Sequence, residues 1–261
     1  MTGGPIERAA QILLHARRGN YLLDGLPQDC RPRTIEEANA VAERLVALWG
    51  EPTVGYLLGL TNPYMQKIFK VSEPYYARIL KSNLRQSPAR IPAKELLSIG
   101  LECEVAFRMG RGLPARRDPY AIDEVADAVA AMLPSIEVVN SHFRDWLKLD
   151  MPTVLADNGT DGPLVCGAER SDWRGIDRPG LVVQLRINGR KVEDGKGGNA
   201  LGDPLAALAW LANALAKRGG GLKAGDVVNT GTTTALHMAK PGDDAVATFG
   251  ALGEVRVAFP A

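Results

Sequence analysis

Two acidic residues, Glu102 and Glu104, interrupt an otherwise apolar run at residues 100–107. If this run is a β-strand, both carboxylates lie on the same face, because side chains alternate with a period of two. The apolar residues between and around them would then face a hydrophobic core on the other side: Leu101, Cys103 and Val105. We therefore expect a strand with one apolar face and one acidic face.

A third acid, Glu137, stands alone in a similar apolar and β-branched run at residues 134–140. Neighbouring carboxylates repel each other, and a hard divalent cation would remove that repulsion. Mg²⁺ or Mn²⁺ binds through carboxylate oxygens and keeps positions open for water or substrate. An exposed strand face with solvated acids explains the same spacing, so the pattern alone leaves both interpretations open.

The length and charge of the chain limit the classes of protein to which it can belong. Its 261 residues allow one large domain, or a large domain with a small appendage. Lysine plus arginine (31) nearly balance aspartate plus glutamate (30), which argues against a nucleic-acid partner. No uncharged run reaches membrane-spanning length, and the three cysteines lie far apart in the sequence. We therefore expect a soluble cytoplasmic protein that binds no membrane.

The periodicity divides the chain at about residue 52. Residues 6–18 and 35–49 predict amphipathic helices, the second opened by Thr34 with Glu37 three residues later as a capping box. We expect residues 1–52 to form a helical N-terminal region and 53–261 a β-rich catalytic domain. Within the latter, helices are predicted at 119–132 and 204–218, and Asn188-Gly189 predicts a two-residue hairpin turn.

Polar loops supply the candidates for proton transfer. His142 and His237 are both in such loops, and imidazole transfers protons near neutral pH. Asn158, in an Asp-Asn-Gly turn, can donate a hydrogen bond to an oxyanion, although the same triplet is typical of ordinary turns. A histidine bonded to a loop carbonyl is an equally good interpretation of His142. The sequence predicts all three residues as catalytic candidates and does not show which of them transfers a proton.

Taken together, the motifs resemble those of the 2-oxo-4-pentenoate hydratase and 4-oxalocrotonate decarboxylase group of the fumarylacetoacetate hydrolase family. The order and spacing of the motifs, rather than any one of them, carry this resemblance along nearly the whole chain. They are G-L-T at 59–61, E-C-E-V-A-F at 102–107, P-S-I-E-V-V at 134–139, R-D-W at 144–146, A-D-N at 156–158, L-G-D-P at 201–204, A-W-L-A-N at 209–213, L-K-A-G-D at 222–226 and T-G at 230–231.

The resemblance implies an α+β fold, a mixed β-sandwich roll preceded by a small helical N-terminal region. It also implies that Glu102, Glu104 and Glu137 bind one Mg²⁺ or Mn²⁺. It further implies a substrate pocket to which six other residues contribute: Leu57, Tyr75, Ser141, Asp157, Thr230 and Gly231. The group usually has lysine at Leu57, aspartate at Tyr75 and D-S-R at residues 140–142, where this chain has N-S-H.

The implied function is that of a divalent-metal-dependent lyase, hydratase-like, acting on a 2-oxo or 2-hydroxy-enoic acid through a metal-stabilised enolate. Decarboxylation and C–C hydrolysis share that enolate, so the metal alone does not select the reaction. A non-catalytic subunit that binds an oxo acid or supports a partner enzyme of the same pathway is the alternative from another class. The relatives are multimeric, so a symmetric homo-oligomer is expected.

Overall fold

The structure is a computed structural model that describes residues 4–261, apart from the side chains of residues 64, 65 and 68. Its α-helices are α1 (Pro5–Gly19), α2 (Ile35–Trp49), α3 (Pro63–Phe69), α4 (Ile122–Ala128), α5 (Met151–Ala156) and α6 (Pro204–Lys217). Its strands are β1 (Thr53–Gly59), β2 (Tyr75–Leu80), β3 (Leu84–Gln86), β4 (Ala89–Arg90), β5 (Gly100–Met109), β6 (Val129–Val139), β7 (Leu164–Cys166), β8 (Val182–Ile187), β9 (Arg190–Lys196), β10 (Val227–Thr232), β11 (His237–Met238), β12 (Asp244–Thr248) and β13 (Glu254–Ala258).

Two mixed sheets form the β-rich part. The larger has the order β2-β1-β10-β5-β6-β7-β3, with β11 added beside β5, and the smaller has the order β4-β13-β12-β8-β9. Leu101, Cys103 and Val105 on β5 lie fully buried in the main core, together with Val183 and Val255 from the smaller sheet. The predicted apolar face of the acidic strand is thus confirmed, and the predicted α+β class with it.

The helical N-terminal stretch ends where the sheets begin, since α2 ends at Trp49 and β1 starts at Thr53. Thr34 caps α2 as predicted, its hydroxyl accepting the Glu37 N–H at 3.1 Å, but the Glu37 carboxylate accepts from Arg33 N–H. Leu13 and Leu45 from the two helices pack in a separate cluster that also contains Phe143 and Ala156. The treatment of residues 1–52 as a region of their own stays a prediction.

The predicted helix at 119–132 is too long. Helix α4 ends at Ala128, and the chain continues directly into β6 from Val129. Pairing along β5 explains the difference, because Val129 lies opposite Met109 and Pro134 lies opposite Val105 inside the strand. A strand covered on both faces has a continuous apolar sequence, which periodicity alone does not distinguish from a buried helix.

Other predicted elements have the expected type. Asn188-Gly189 joins β8 to β9, and the helix predicted at 204–218 is α6, which ends at Lys217, one residue earlier than predicted. The polar loop after β10 contains a short strand, β11, that the sequence did not indicate. Within residues 4–261, no helix is both long enough and apolar enough to span a membrane.

Candidate active site

The register of β5 and β6 brings the predicted acids together. Glu102 lies directly opposite Glu137 in the antiparallel pair, and Glu104 lies opposite Ser135. Directly opposed residues share a face of the sheet, with Cβ atoms about 4.5–5.5 Å apart. Glu104 and Glu137 are buried, with exposed fractions of 1% and 4%. The sheet therefore gathers three carboxylates on the face opposite the main core.

Neighbouring polar groups orient two of these carboxylates. Glu104 Oε2 accepts a hydrogen bond from the Gly231 N–H at 2.6 Å, and Glu137 Oε2 accepts from Asn229 Nδ2 at 2.9 Å. Asn229 is held in turn, because its Oδ1 accepts from the Ser135 hydroxyl at 2.7 Å. The Asn229 amide thus fixes one carboxylate oxygen of Glu137, and the Gly231 N–H fixes one of Glu104. The other oxygen of each carboxylate is left for further contacts.

The electrostatics of the cluster favour a bound cation. Burial raises the pKa of Glu102, Glu104 and Glu137 above the ordinary range, and the neighbouring carboxylates raise the pKa of Glu104 and Glu137 further. Glu104 Oε1 is buried without a hydrogen-bond partner. An unpaired buried carboxylate oxygen is costly, and a divalent cation would satisfy it while offsetting the repulsion. The donor chemistry therefore fits Mg²⁺ or Mn²⁺.

The side chains themselves are not arranged as a finished ligand set. Within residues 4–261, no three His, Cys, Asp or Glu side chains converge closely enough to hold one metal ion. The strand register fixes the Cβ positions of the acids on one face, whereas the terminal torsion of a glutamate is broad and easily rotated. The three acids thus share a face, and their carboxylate groups would have to rotate before all three could contact one ion.

A small cavity opens beside the acids, with a volume of about 70 Å³. We call it the carboxylate cavity. It lies between the sheet face and residues 159–160, and Leu57 on β1 and Tyr75 on β2 form part of its wall with Glu102 and Glu137. Other parts of the wall are apolar: Phe69, Val139, Trp146 and Met151. The structure therefore brings together two predicted pocket residues, Leu57 and Tyr75, with the predicted metal ligands.

The Tyr75 ring lies between two glycines. A Cβ atom on Gly59 would come within 2.1 Å of the ring, and one on Gly159 within 2.7 Å. The phenol hydroxyl donates to the Gly159 carbonyl oxygen at 3.2 Å. Only residues without a side chain allow the ring this position, which holds the hydroxyl end at the wall of the carboxylate cavity.

A buried ion cluster supports the loop over this cavity. The Arg17 guanidinium on α1 donates to Asp157 Oδ1 at 2.7 Å and to Asp161 Oδ1 at 2.5 Å. Its side chain is 5% exposed, and both aspartate side chains are almost completely buried. Arg17 opposes the effect of burial on the pKa of Asp157 and holds it below the usual range. Asp157 is thereby committed to this cluster and does not line the carboxylate cavity.

His142 and Ser141 lie outside the carboxylate cavity as well. The His142 ring lines a separate pocket next to Arg17 and Asp161. Its Nδ1 is 3.4 Å from Asp157 Oδ2, although the geometry is not that of a hydrogen bond. The Ser141 hydroxyl accepts the Phe143 N–H at 3.1 Å and shapes the local turn. Both side chains thus contribute to the structure of the loop that follows β6.

Three further candidates are placed away from the reacting groups. The Asn158 amide forms two hydrogen bonds with the backbone of Arg78 at 3.0 and 2.9 Å, which leaves little capacity for an oxyanion. The Thr230 hydroxyl donates to the Val105 carbonyl oxygen at 2.7 Å. His237 lies opposite Leu101 in the sheet, so its side chain shares the face turned away from the acids.

The structure also identifies residues that sequence reasoning missed. Thr61 lines the carboxylate cavity, and its hydroxyl oxygen is buried without a hydrogen-bond partner. Asn229 and Arg17 orient Glu137 and the cavity loop from distant parts of the chain. The G-L-T motif at 59–61 was a signal for Thr61, and the T-G motif at 230–231 directly follows Asn229, whereas Arg17 stands in a stretch that had suggested no role in the site.

Comparisons with known proteins agree with this site and fold. The 2-keto-4-pentenoate hydratase of Paraburkholderia phymatum is 32% identical over 257 residues, which cover 97% of each chain. The 2-hydroxyhexa-2,4-dienoate hydratase of Comamonas testosteroni is 29% identical, with 91% of each chain covered. These relatives extend over almost the whole length of the chain.

A solved structure matches over the same extent. The 4-oxalocrotonate decarboxylase from Pseudomonas putida G7, complexed with magnesium and adipate, superposes with a TM-score of 0.90, 26% identity and 97% of each chain covered. The same enzyme is also known complexed with calcium and acetate. Residues 70–259 match the family model described as fumarylacetoacetate (FAA) hydrolase C-terminal. The fold, the relatives and the family model agree, and the chain belongs to the fumarylacetoacetate hydrolase family.

Proposed function

We propose that this protein is a divalent-metal-dependent lyase, hydratase-like, that acts on a 2-oxo or 2-hydroxy-enoic acid. The observation that carries the proposal is the set of three carboxylates on one sheet face beside a small, largely apolar cavity. The named relatives support it, since they are hydratases of short 2-keto or 2-hydroxy enoic acids. The geometry and the relatives thus lead to one chemical class of substrate.

In this proposal Glu102, Glu104 and Glu137 hold one Mg²⁺ or Mn²⁺. A bound cation supplies a Lewis acid for the carboxylate and 2-oxo oxygens of the substrate. The chain contributes the surroundings: Asn229 and the Gly231 N–H orient two of the acids. The Thr61 hydroxyl, which has no partner in the described residues, is available to a polar substrate atom. The apolar wall excludes water and receives the hydrocarbon part of the substrate.

The wall of the cavity favours hydration over decarboxylation of a dicarboxylic acid. The decarboxylase relative is complexed with adipate, which carries two carboxylates. Among the side chains that the structure describes, no lysine, arginine or histidine lines the carboxylate cavity. A second carboxylate would be buried there without a cationic partner, which is unfavourable. A substrate with one carboxylate and an apolar tail therefore fits better.

The proposal is tested with purified protein and 2-hydroxypenta-2,4-dienoate, with Mg²⁺ and with excess EDTA. We expect loss of the dienol ultraviolet absorbance and formation of 4-hydroxy-2-oxopentanoate, both abolished by EDTA and restored by Mg²⁺ or Mn²⁺. A parallel reaction with a 2-oxo-enedioic acid measures release of carbon dioxide. We expect that reaction to be slower by about tenfold or more, since each 1.4 kcal/mol of lost stabilisation is tenfold.

Each other outcome identifies a different alternative. Faster carbon dioxide release than hydration would identify a decarboxylase. Metal-dependent binding of oxalate, an enolate mimic, with no turnover of either acid would identify a non-catalytic oxo-acid-binding or partner subunit. Turnover that is unchanged in EDTA would contradict the metal-dependent lyase in every form.

We also propose that the protein forms a symmetric homo-oligomer. Among the described residues, several large apolar side chains are about half exposed in the single chain and are available to a subunit interface: Leu147, Val182 and Met238. We expect light scattering at micromolar concentration to give a multiple of 28.0 kDa. A particle of 28 kDa under these conditions would contradict the proposal. A pathway enzyme as a further partner, and a cytoplasmic location, stay predictions.

A further inference from the structure

We propose that the Tyr75 phenol is the proton donor of the reaction, in addition to forming part of the pocket wall. This inference rests on the proposed function, because it assigns a role within the same site. Tyr75 lies on the wall of the carboxylate cavity with Glu102 and Glu137. Its hydroxyl is held at a defined place by the Gly159 carbonyl oxygen, 3.2 Å away.

The fold determines the position of the Tyr75 ring. Gly59 is directly opposite Tyr75 in the β1–β2 pair, and it leaves room for the ring where a Cβ atom would come within 2.1 Å. Gly159 closes the other side, in a loop where residues 158–160 all have positive φ angles of 52° to 71°. A strained loop that keeps one carbonyl on one hydroxyl is typical of a functional position.

The other side chains of the wall do not offer an equivalent group. Among the described residues that line the carboxylate cavity, there is no histidine, lysine, arginine or cysteine. The two glutamates, Glu102 and Glu137, serve as proposed cation ligands, and threonine hydroxyls are too weakly acidic to act as proton donors. His142 faces a different pocket, and His237 lies on the other face of the sheet. The phenol of Tyr75 is thus the described group suited to donate a proton here.

The described wall of the carboxylate cavity holds no cationic side chain beside this phenol that would favour its phenolate form. The Tyr75 ring packs against an apolar cluster, and its O–H remains a neutral donor at the wall. Leu57, which packs near the ring, supplies neither a charge nor a competing hydrogen-bond donor.

The step balances without a further reagent. In the conjugated 2-oxo-3-enoate, a tautomer of the dienol, the oxygen of water bonds to C4, the C3–C4 π electrons become the C2–C3 double bond of an enolate, and the carbonyl π pair moves onto the C2 oxygen. The C2–C3 electron pair then forms a C–H bond at C3 with the phenol proton, the C2–O bond becomes a carbonyl again, and the O–H electrons stay on the phenolate oxygen of Tyr75. The phenolate takes the proton that the added water releases, so that the elements of one water are added overall.

The test is deuterium exchange at C3 of 2-oxopentanoate in D₂O with Mg²⁺, followed by proton NMR. This reaction isolates proton transfer from water addition. We expect Tyr75→Phe to slow exchange by about 10²–10⁴-fold, the range usual for a general acid–base group. We expect its affinity for oxalate with Mg²⁺, measured by calorimetry, to stay within about threefold of the parent, because the carboxylates are untouched.

Two further variants separate catalysis from structure. Tyr76→Phe is the matched control, because Tyr76 is the next residue on β2 and its hydroxyl accepts from Arg218 away from the cavity. We expect it to exchange at the parental rate. 3-Fluorotyrosine at position 75 keeps the hydroxyl and should retain exchange within about tenfold, whereas a purely structural role predicts that Tyr75→Phe retains it too.

The possible failures are distinguishable. If the parent exchanges and Tyr75→Phe exchanges equally fast, the proton-donor role is overturned and the proposed lyase stands. If the parent shows no metal-dependent exchange, the proposed function is overturned and the role of Tyr75 with it. Loss of oxalate affinity in Tyr75→Phe, in parallel with loss of exchange, would also overturn the role, since the ring would then be needed for binding.

Discussion

Replacing Arg17 with methionine is expected to lower the free energy of unfolding by about 3–5 kcal/mol. The change removes the cation but leaves the carboxylates of Asp157 and Asp161 buried, and an uncompensated buried charge is among the most costly defects in a protein. Methionine keeps most of the aliphatic volume, so the loss is mainly electrostatic. This is the largest stability effect that we expect from a single substitution.

The measurement is urea unfolding followed by circular dichroism. Arg18→Met is the matched control, because Arg18 is the next residue on α1 and is exposed, and we expect it to change stability by less than about 0.5 kcal/mol. Adding Asp161→Asn to Arg17→Met should recover part of the loss, since one unpaired charge is then removed. A loss below about 1 kcal/mol for Arg17→Met would show that the ion cluster is not important for the stability of the fold.

The same substitution tests how the N-terminal helices support the site. Arg17 joins α1 to Asp157 and Asp161, which border the loop of residues 158–160 at the carboxylate cavity. Loosening this loop moves the Gly159 carbonyl that accepts from Tyr75. We therefore expect the helical region to contribute to the site by holding the loop rather than by lining the cavity.

Replacing Glu104 with glutamine is expected to lower the affinity for Mn²⁺ or Mg²⁺ by about tenfold or more, a loss of at least about 1.4 kcal/mol. Glutamine is close in shape and can still accept from the Gly231 N–H, but it removes one of the three negative charges. The same change should stabilise the metal-free protein, because burial and the neighbouring carboxylates disfavour the charge on Glu104.

The prediction is specific because the metal affinity should fall while the stability of the metal-free protein should rise. Calorimetric titration with Mn²⁺ gives the affinity, and thermal unfolding in EDTA gives the stability of the metal-free form. Glu254→Gln is the control, since Glu254 is an exposed residue of the smaller sheet, and we expect it to change neither value. Unchanged Mn²⁺ affinity in Glu104→Gln would exclude the predicted metal site.

The sequence alone was sufficient to predict the acidic strand. An alternation of acids with apolar residues is typical of a strand with one acidic and one apolar face, and β5 has that form. The hairpin at Asn188-Gly189 and helix α6 followed from equally local signals. The helix predicted at 119–132 failed at its second half, because pairing with β5 decided between two structures that the apolar pattern allowed equally.

The tertiary structure decided which of the predicted residues lie together in the site. A local sequence shows which side chains are polar, but it does not show which partners those side chains meet across the sheet or from a distant helix. Asp157 and Asn158 form their hydrogen bonds with Arg17 and Arg78, which lie far away in the sequence. The sequence by itself determined that Glu102 and Glu104 share one face, because strand periodicity is local, whereas the register of β5 and β6 places Glu137 on that face. Only the tertiary structure determined that Tyr75 shares their cavity while His142 and His237 do not, because that depends on strand register and on long-range contacts.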